Sequence, residues 1–381
     1  MQKYKLKDIS KIVSGATPLT KKAEFYNGDI SWITPKDLSG YNHKYIYSGS
    51  RMITKEGYNS CATTLLPKGS VLFSSRAPIG YVAIAGKELC TNQGFKSFIC
   101  NEKIISNQYL YYYLKYNTKI FEKLGNGSTF KEISLTTLSN YEIEIPSVEE
   151  QNKIIKELVL LDEKYENNCS LLSQLEDFIE LTYIKYFERN DFTYINTHLS
   201  NLIDIITGGT PSTQNETYWK NGIYNWYTPT DITSCKTIVS NKSEKKISIL
   251  GLANSGAKLI PANSILMTSR ATIGQSIINN FEATTNQGIL GLIPKDENIS
   301  ILHLFFWIKR NVNLISSISN GSTFKELYKK DFEKLSININ YDLEINFKKD
   351  VESVYNLYKS VNTENQLISE LKNKILEKIF S

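Results

Sequence analysis

Three histidines, His43, His198 and His303, and five cysteines, Cys61, Cys90, Cys100, Cys169 and Cys235, are the side chains best suited to hold a metal or to act as nucleophile or base. Their spacing argues against either role. No His-Glu-x-x-His helix signature and no Cys-x-x-Cys pair occurs, and five is an odd number for a disulfide framework, so the thiols are expected to be buried rather than paired or metal-bound. Gly80 to Lys87 (GYVAIAGK) resembles a phosphate loop only faintly. It has one residue too many between its glycines, and Glu88 stands where a Ser or Thr would bind magnesium. No two prolines are adjacent and no Pro-Asp pair exists, so the N-P-P-Y motif of amino-methyltransferases and the opening of a common nuclease core are both missing. The chain is expected to be non-catalytic and to need neither cofactor nor metal.

The polar residues that stand out do so by recurrence. Trp32-Ile33-Thr34-Pro35-Lys36-Asp37 returns as Trp226-Tyr227-Thr228-Pro229-Thr230-Asp231, a shift of 194 residues (226 minus 32). The same shift relates Ser75-Arg76-Ala77-Pro78-Ile79-Gly80 to Ser269-Arg270-Ala271-Thr272-Ile273-Gly274 and Thr91-Asn92-Gln93-Gly94 to Thr285-Asn286-Gln287-Gly288. It also relates Asn126-Gly127-Ser128-Thr129-Phe130-Lys131-Glu132 to Asn320-Gly321-Ser322-Thr323-Phe324-Lys325-Glu326. Four ordered matches at one shift identify an internal duplication. Gly15-Ala16-Thr17-Pro18 and Gly208-Gly209-Thr210-Pro211 add a fifth at 193, one residue having been gained or lost before the tryptophan.

A chain of 381 residues is long enough for two or three domains. In each copy, short apolar runs such as Ser70-Val71-Leu72-Phe73 are broken by Gly, Pro, Asn and Ser, which predicts irregular β-rich structure with a helical stretch at Asn107 to Leu124 and again at Ile301 to Ile315. The period then changes. Apolar or tolerated residues fall at Ile154, Leu158, Leu161, Tyr165, Asn168, Leu172, Leu175, Ile179, Thr182 and Tyr186, stepping four and three in turn, as a coiled-coil seam does. The second copy offers Val354, Leu357, Val361, Glu364, Ile368, Leu371, Ile375 and Lys378, aligned at a shift of 196 that makes Asn168 and Glu364 equivalent. A helix from Glu149 to Phe187 would run to roughly 58 Å, beyond the span of a small domain. The simplest arrangement pairs two such rods antiparallel and holds two related heads apart, a dumbbell of α+β class with pseudo-twofold symmetry. Helices lying flat on their own heads are the alternative.

Charge follows the same division. Residues 1–140 hold 19 Lys and Arg against 9 Asp and Glu, whereas 141–190 hold 5 against 12; residues 191–335 hold 14 against 11, and 336–381 hold 6 against 7. Basic surface suits a polyanion and the acidic first rod suits a protein partner. The longest apolar stretch, Ile301 to Ile308, is too short to cross a bilayer, and the first residues have no signal-peptide core, so a cytoplasmic protein without membrane contact is expected.

Taken together, the G-x-T-P opening, the W-x-T-P-x-D turn, the S-R-A-x-I-G and T-N-Q-G segments, N-G-S-T-F-K-E and the two heptad helices resemble the specificity subunit of Type I restriction-modification systems, the HsdS family. The resemblance covers nearly the whole chain. It implies target-recognition domains at residues 1–146 and 191–340, each reading one half of a split site on double-stranded DNA, and spacer helices at 147–190 and 341–381 that dock two methyltransferase (M) subunits. Restriction (R) subunits would complete the nuclease. Half-sites one helical turn apart lie roughly 34 Å from each other, a distance rods of this length can bridge. The alternative is a duplicated protein scaffold that reads no DNA.

Residues identical in both heads cannot distinguish two half-sites. Arg76 and Arg270, Asn92 and Asn286, Ser128 and Ser322, and Lys131 and Lys325 are therefore candidates for phosphate contact or architecture. Trp32, Trp226, Asp37 and Asp231 are expected to be structural. Base readout belongs where the heads diverge: Asn42, His43, Lys44, Arg51 and Asn59 in the first, Lys236, Asn241, Lys242, Lys245 and Lys246 in the second. No base is assigned to any of them. The seam of the rods is expected to consist of Ile154, Leu158, Leu161, Leu172, Leu175 and Ile179 with Val354, Leu357, Val361, Ile368, Leu371 and Ile375.

Overall fold

The structure, a computed structural model, describes residues 1–127, 131–189, 192–321 and 325–381. It divides into two units, Met1–Glu166 with Ile368–Ser381, and Asn167–Leu367. Each unit therefore combines one head with the near half of its own long helix and the far end of the other.

In the first unit, the run Val71-Leu72-Phe73 becomes the central strand Val71–Ser75, buried along its whole length. Alternation sends its side chains to opposite faces: Val71 and Phe73 join Phe98, Leu110 and Phe121, while Leu72 joins Phe95, Leu89 and Ile33. That strand sits in a five-stranded sheet ordered Ser10–Ser14, Lys96–Cys100, Val71–Ser75, Ile79–Ala85, Tyr45–Ile46, antiparallel except for the last pair. A three-stranded sheet places Tyr26–Ile33 between Arg51–Ile53 and Cys90–Thr91. Gln2–Lys5 pairs antiparallel with Glu142–Ile145, so the start of the repeat is tied to its end.

The second unit repeats this topology. Its larger sheet runs Ile203–Thr207, Ile289–Pro294, Ser264–Thr268, Ser276–Asn279, Val239–Ser240, its smaller one Lys245–Ile247, Tyr224–Tyr227, Ala283–Thr285, and Ile195–His198 closes on Ser336–Ile339. Each helical stretch is broken in two: Asn107–Tyr116 with Thr118–Leu124, and Ile301–Arg310 with Val312–Ser317.

Two helices of 40 residues, Val148–Phe187 and Tyr341–Phe380, follow the heads. Ser147 opens the first with a capping box: its hydroxyl accepts from the Glu150 N–H at 3.3 Å while the Glu150 carboxylate accepts from the Ser147 N–H at 3.3 Å. Within the second unit the helices pair antiparallel, since Asn168 meets Glu364 and Tyr186 meets Asp350. Within the first, Asp162 meets Lys372 in the same sense.

Three features of the helices differ from the sequence reading. The helices do not share only a two-helix seam: Ile155 and Leu158 enter the first head's core, and Phe347, Val351, Tyr355 and Tyr358 enter the second's. A stripe that faces both a head and a second helix is broader than a coiled-coil seam and turns with the head. Consequently Leu357 and Leu371, each 47% exposed, and Ile154, at 36%, lie off the buried stripe, whose places are taken by Tyr355, Tyr358 and Ile155. Leu158, Leu172, Ile179, Val361 and Ile368 are buried, and Leu161, Leu175, Val354 and Ile375 half-buried. Finally, the helices are equivalent at 193 rather than 196. Gln151 and Glu344 (344 minus 151) both accept the N–H that opens a head helix, from Ser106 at 2.9 Å and Ser300 at 3.0 Å. Phe187 and Phe380 (380 minus 187) both pack their rings on such a helix, at His303 and Tyr109.

Candidate nucleic-acid interface

The repeated motifs converge on one frame in each head. The Trp32 indole N–H donates to the Ala16 carbonyl at 3.1 Å, and that of Trp226 to Gly209 at 3.0 Å, tying the W-x-T-P-x-D turn to the G-x-T-P segment. Thr17 bonds Gln93, and Thr210 bonds Gln287, which brings in T-N-Q-G. The Asp37 and Asp231 carboxylates cap their own turns through Thr34 and Thr228, and each accepts a second backbone N–H at 2.7 Å, from Ser50 and Glu244. Burial opposes ionisation of Asp37, but the hydrogen bonds from Thr34 and Ser50 outweigh it and hold the carboxyl below its usual range. The Asn92 and Asn286 side-chain oxygens accept from Gly94 and Gly288 at 2.9 Å, closing the next turn.

The S-R-A-x-I-G segments build a strained corner beside this frame. Ala77 and Ala271 hold φ of 52° and 60°, a left-handed conformation that costs a residue with a Cβ and persists only where the surroundings impose it. At the corner, the backbone N–H of Ile133 donates to Ser75 at 3.0 Å, and that of Leu327 to Ser269 at 2.9 Å. The arginines meet the glutamates that end N-G-S-T-F-K-E: Arg76 NH1 lies 3.3 Å from Glu132, and Arg270 approaches Glu326 at 2.9 Å through Nε and 2.7 Å through NH2. Lys131 and Lys325 are exposed next to these glutamates. Each head thus has an arginine whose guanidinium is held by a carboxylate, with an exposed lysine one residue before that carboxylate. Ser128 and Ser322 lie outside the described residues.

The diverging candidates separate into two groups. Arg51 stands directly opposite Trp32 on an edge strand, and Lys245 stands opposite Trp226 at the equivalent place. Both are exposed, and each lies over a ring, Arg51 at 5.8 Å from Tyr26 and Lys245 at 6.0 Å from Trp219. A basic residue on an aromatic platform is therefore common to both heads, an equivalence already contained in the shift of 194. Lys246 is exposed beside it, opposite Asn225. Asn42, Asn59, Lys236 and Lys242 are also exposed, whereas Asn241 is half-buried and accepts from Asn280 at 2.8 Å.

Lys44 is a correction. Lys44 is 3% exposed; its ammonium bonds Gln108 at 2.7 Å and Tyr112 at 3.2 Å, and lies 3.5 Å from Asp162. His43 contacts Glu166 of the first long helix. Lys44 does not face outward to read a base, because the strand Tyr45–Ile46 that follows it carries it into the joint between head and helix, whereas the His43 side chain stays 39% exposed beside Glu166. Alignment at 194 places Ile238 opposite Lys44, an apolar partner that marks the position as interior.

Among the described residues no cluster of three or more His, Cys, Asp or Glu is arranged to hold a metal, and no helix is long and apolar enough to cross a membrane. Burial pushes the Cys90 thiol to about 11 and that of Cys100 to about 12, far from a reactive thiolate.

Residues 1–177 and 194–373 each match the Type I restriction modification DNA specificity domain. Over 165 residues, 43% of this chain, the sequence is 47% identical to the Type I restriction enzyme MjaIX specificity subunit of Methanocaldococcus jannaschii, and the match spans 38% of that protein. The specificity subunit of EcoR124I/EcoR124II from Escherichia coli is 27% identical over 50% of this chain and 47% of its own. Each alignment thus spans less than half of the relative. Among solved structures, the Type I restriction-modification S subunit from M. genitalium superposes over 100% of this chain and 96% of its own with a TM-score of 0.60 at 15% identity, a likeness of fold.

Proposed function

As the chain belongs to the Type I restriction-modification DNA specificity family, we propose that it is the non-catalytic component that reads a two-part DNA target, one head to each half, and brings methyltransferase subunits to it. Residues 1–146 and 191–340 act as the recognition domains, and 147–190 and 341–381 as the spacer helices on which two M subunits dock; R subunits join for cleavage. The work is done in the cytoplasm. Methyl transfer needs a base flipped into the partner's pocket, so this chain contributes address and register alone.

One observation carries the reading: two heads share a frame down to its hydrogen bonds yet present different side chains around Arg51 and Lys245. Shared elements position a duplex without specifying it, and differing ones specify. Arg76 with Lys131, and Arg270 with Lys325, contact phosphates. Arg51, Asn42 and Asn59 read one half-site, and Lys245, Lys246, Lys236 and Lys242 the other.

The test is to map methylated adenines in cells that make this chain with a cognate methyltransferase subunit. A split, asymmetric motif is expected, and a continuous palindrome would overturn the reading. A salt titration of DNA binding separates it from a plain scaffold: affinity should fall steeply with salt for a protein with several phosphate contacts, and a scaffold shows no such binding to lose.

A further inference from the structure

The joint between head and helices is polar in the first unit and apolar in the second, at equivalent positions. In the first, Asp162 is 5% exposed and accepts from Tyr112 and, at 3.5 Å, Lys44 through one oxygen, and from Lys372 through the other. Lys44 and Tyr112 come from the head, Asp162 from the first long helix, and Lys372 from the end of the second. A shift of 194 in the heads carries Lys44 to Ile238 and Tyr112 to Phe306, and the helical shift of 193 carries Asp162 to Tyr355. The residue matching Lys372 on the first helix is Ile179 (372 minus 193). Ile179, Ile238, Phe306 and Tyr355 all lie in the second unit's hydrophobic core.

A duplicated chain faces a problem of partner choice. Each unit is completed by the far end of the other repeat's helix, and two copies of one repeat offer each other nearly the same shape. We infer that the Lys44–Asp162–Lys372 cluster is a pairing code: it selects the end of the second helix for the first unit and rejects the end of a first helix from another copy of this chain. With Ile179 in place of Lys372, one oxygen of Asp162 loses its partner in a buried site. With Lys372 in place of Ile179, an ammonium is driven among Ile238, Phe306 and Tyr355, where the place of Asp162 holds a tyrosine and no carboxylate. Buried charge left unpaired is strongly unfavourable, and a single polar contact in an apolar helix interface is the best-attested way to fix register and partner. Such a code keeps two unlike heads in one molecule. It stands independently of how those heads bind DNA.

Charge reversal on the full chain tests it. Two differently tagged populations, one with Asp162→Lys and the other with Lys372→Asp, both in a Lys44→Met background, are unfolded, mixed and refolded. Each alone opposes like charges at the joint, whereas two chains that exchange second helices restore opposite charges at both joints. Mixed dimers in native mass spectrometry should exceed those of tagged Lys44→Met parents by roughly tenfold or more, the factor that accompanies about 1.4 kcal/mol. Mixed dimers no commoner than in the parents overturn the proposal. A single chain carrying both reversals restores the contact within itself and should refold to the monomer, and its failure to do so overturns the proposal equally.

Discussion

Asn168 donates its Nδ2 to Glu364 Oε2 at 2.8 Å, joining the two long helices inside the second unit. These residues lie 196 apart, the shift at which the heptads align, but they are partners across the pair and not copies of each other; the copy of Asn168 is Val361 (361 minus 168 is 193). Asn168 is 3% exposed, so its amide has no water to turn to. Asn168→Ala should destabilise the chain by about 1–3 kcal/mol, the range for stranding a buried hydrogen-bond partner. A double-mutant cycle with Glu364→Ala, followed by urea denaturation, should return a coupling of about 1 kcal/mol; additive losses would show the contact to be incidental.

Arg76 and Arg270 are expected to contribute to DNA affinity without sequence preference. Arg76→Ala and Arg270→Ala should each weaken binding uniformly across sequences and lower the salt dependence by about one released counterion, read by fluorescence anisotropy over a salt series. Glu132 holds Arg76 at 3.3 Å, and a phosphate bound by Arg76 would have to compete with it. Glu132→Gln removes that competition and should raise affinity for random duplexes, where a purely structural arginine would leave it unchanged or lower it.

Arg51 and Lys245 occupy the same position opposite the shared tryptophans, so their effects should divide cleanly between half-sites. Arg51→Ala should relax selection at one base of one half-site, and Lys245→Ala at one base of the other, each by about 1–3 kcal/mol. Selection from a library randomised in both halves measures this. Relaxation of both halves by one substitution would assign the residue to phosphate.

The duplication, the strand-rich heads and the existence of both long helices were legible because turn residues and a heptad period are local signals. Trp32 and Asp37 were legible as structural because a carboxylate is unfavourable beside phosphate and tryptophan is commonly buried, but the turn that Asp37 caps and the carbonyl that Trp32 bonds were not. Lys44 was not legible as an interior residue, because polarity is a poor guide to burial when a carboxylate from a distant helix, Asp162, satisfies it. The second helix drifted by three residues for a related reason. Val354 and Leu357 fit a heptad better than Tyr355 and Tyr358, but Tyr358 fills its place through a hydrogen bond that accepts the Ile238 N–H at 3.0 Å, a contact with the head that no helical period records.

Tyrosine burial makes the fold sensitive to alkali. Burial raises Tyr112 well above the free value, with the nearby Asp162 carboxylate adding to it, and burial followed by Glu176 raises Tyr358; at the half-buried Tyr41, burial with help from Glu166 pushes the phenol up to about 12. A folded-state value above the unfolded one, about 10 for tyrosine, means that the folded chain holds its proton longer. The associated stability is fully present below about pH 10 and is lost as pH rises from there toward the folded-state values. Ultraviolet difference titration of the 24 tyrosines should therefore show an exposed class ionising near the free value and a second class ionising only as the chain unfolds. Tyr112→Phe removes one member of the second class, and it should shallow the alkaline loss of stability while leaving the exposed class untouched; a single titration near the free value for all of them would refute the buried hydroxyl network around Asp162.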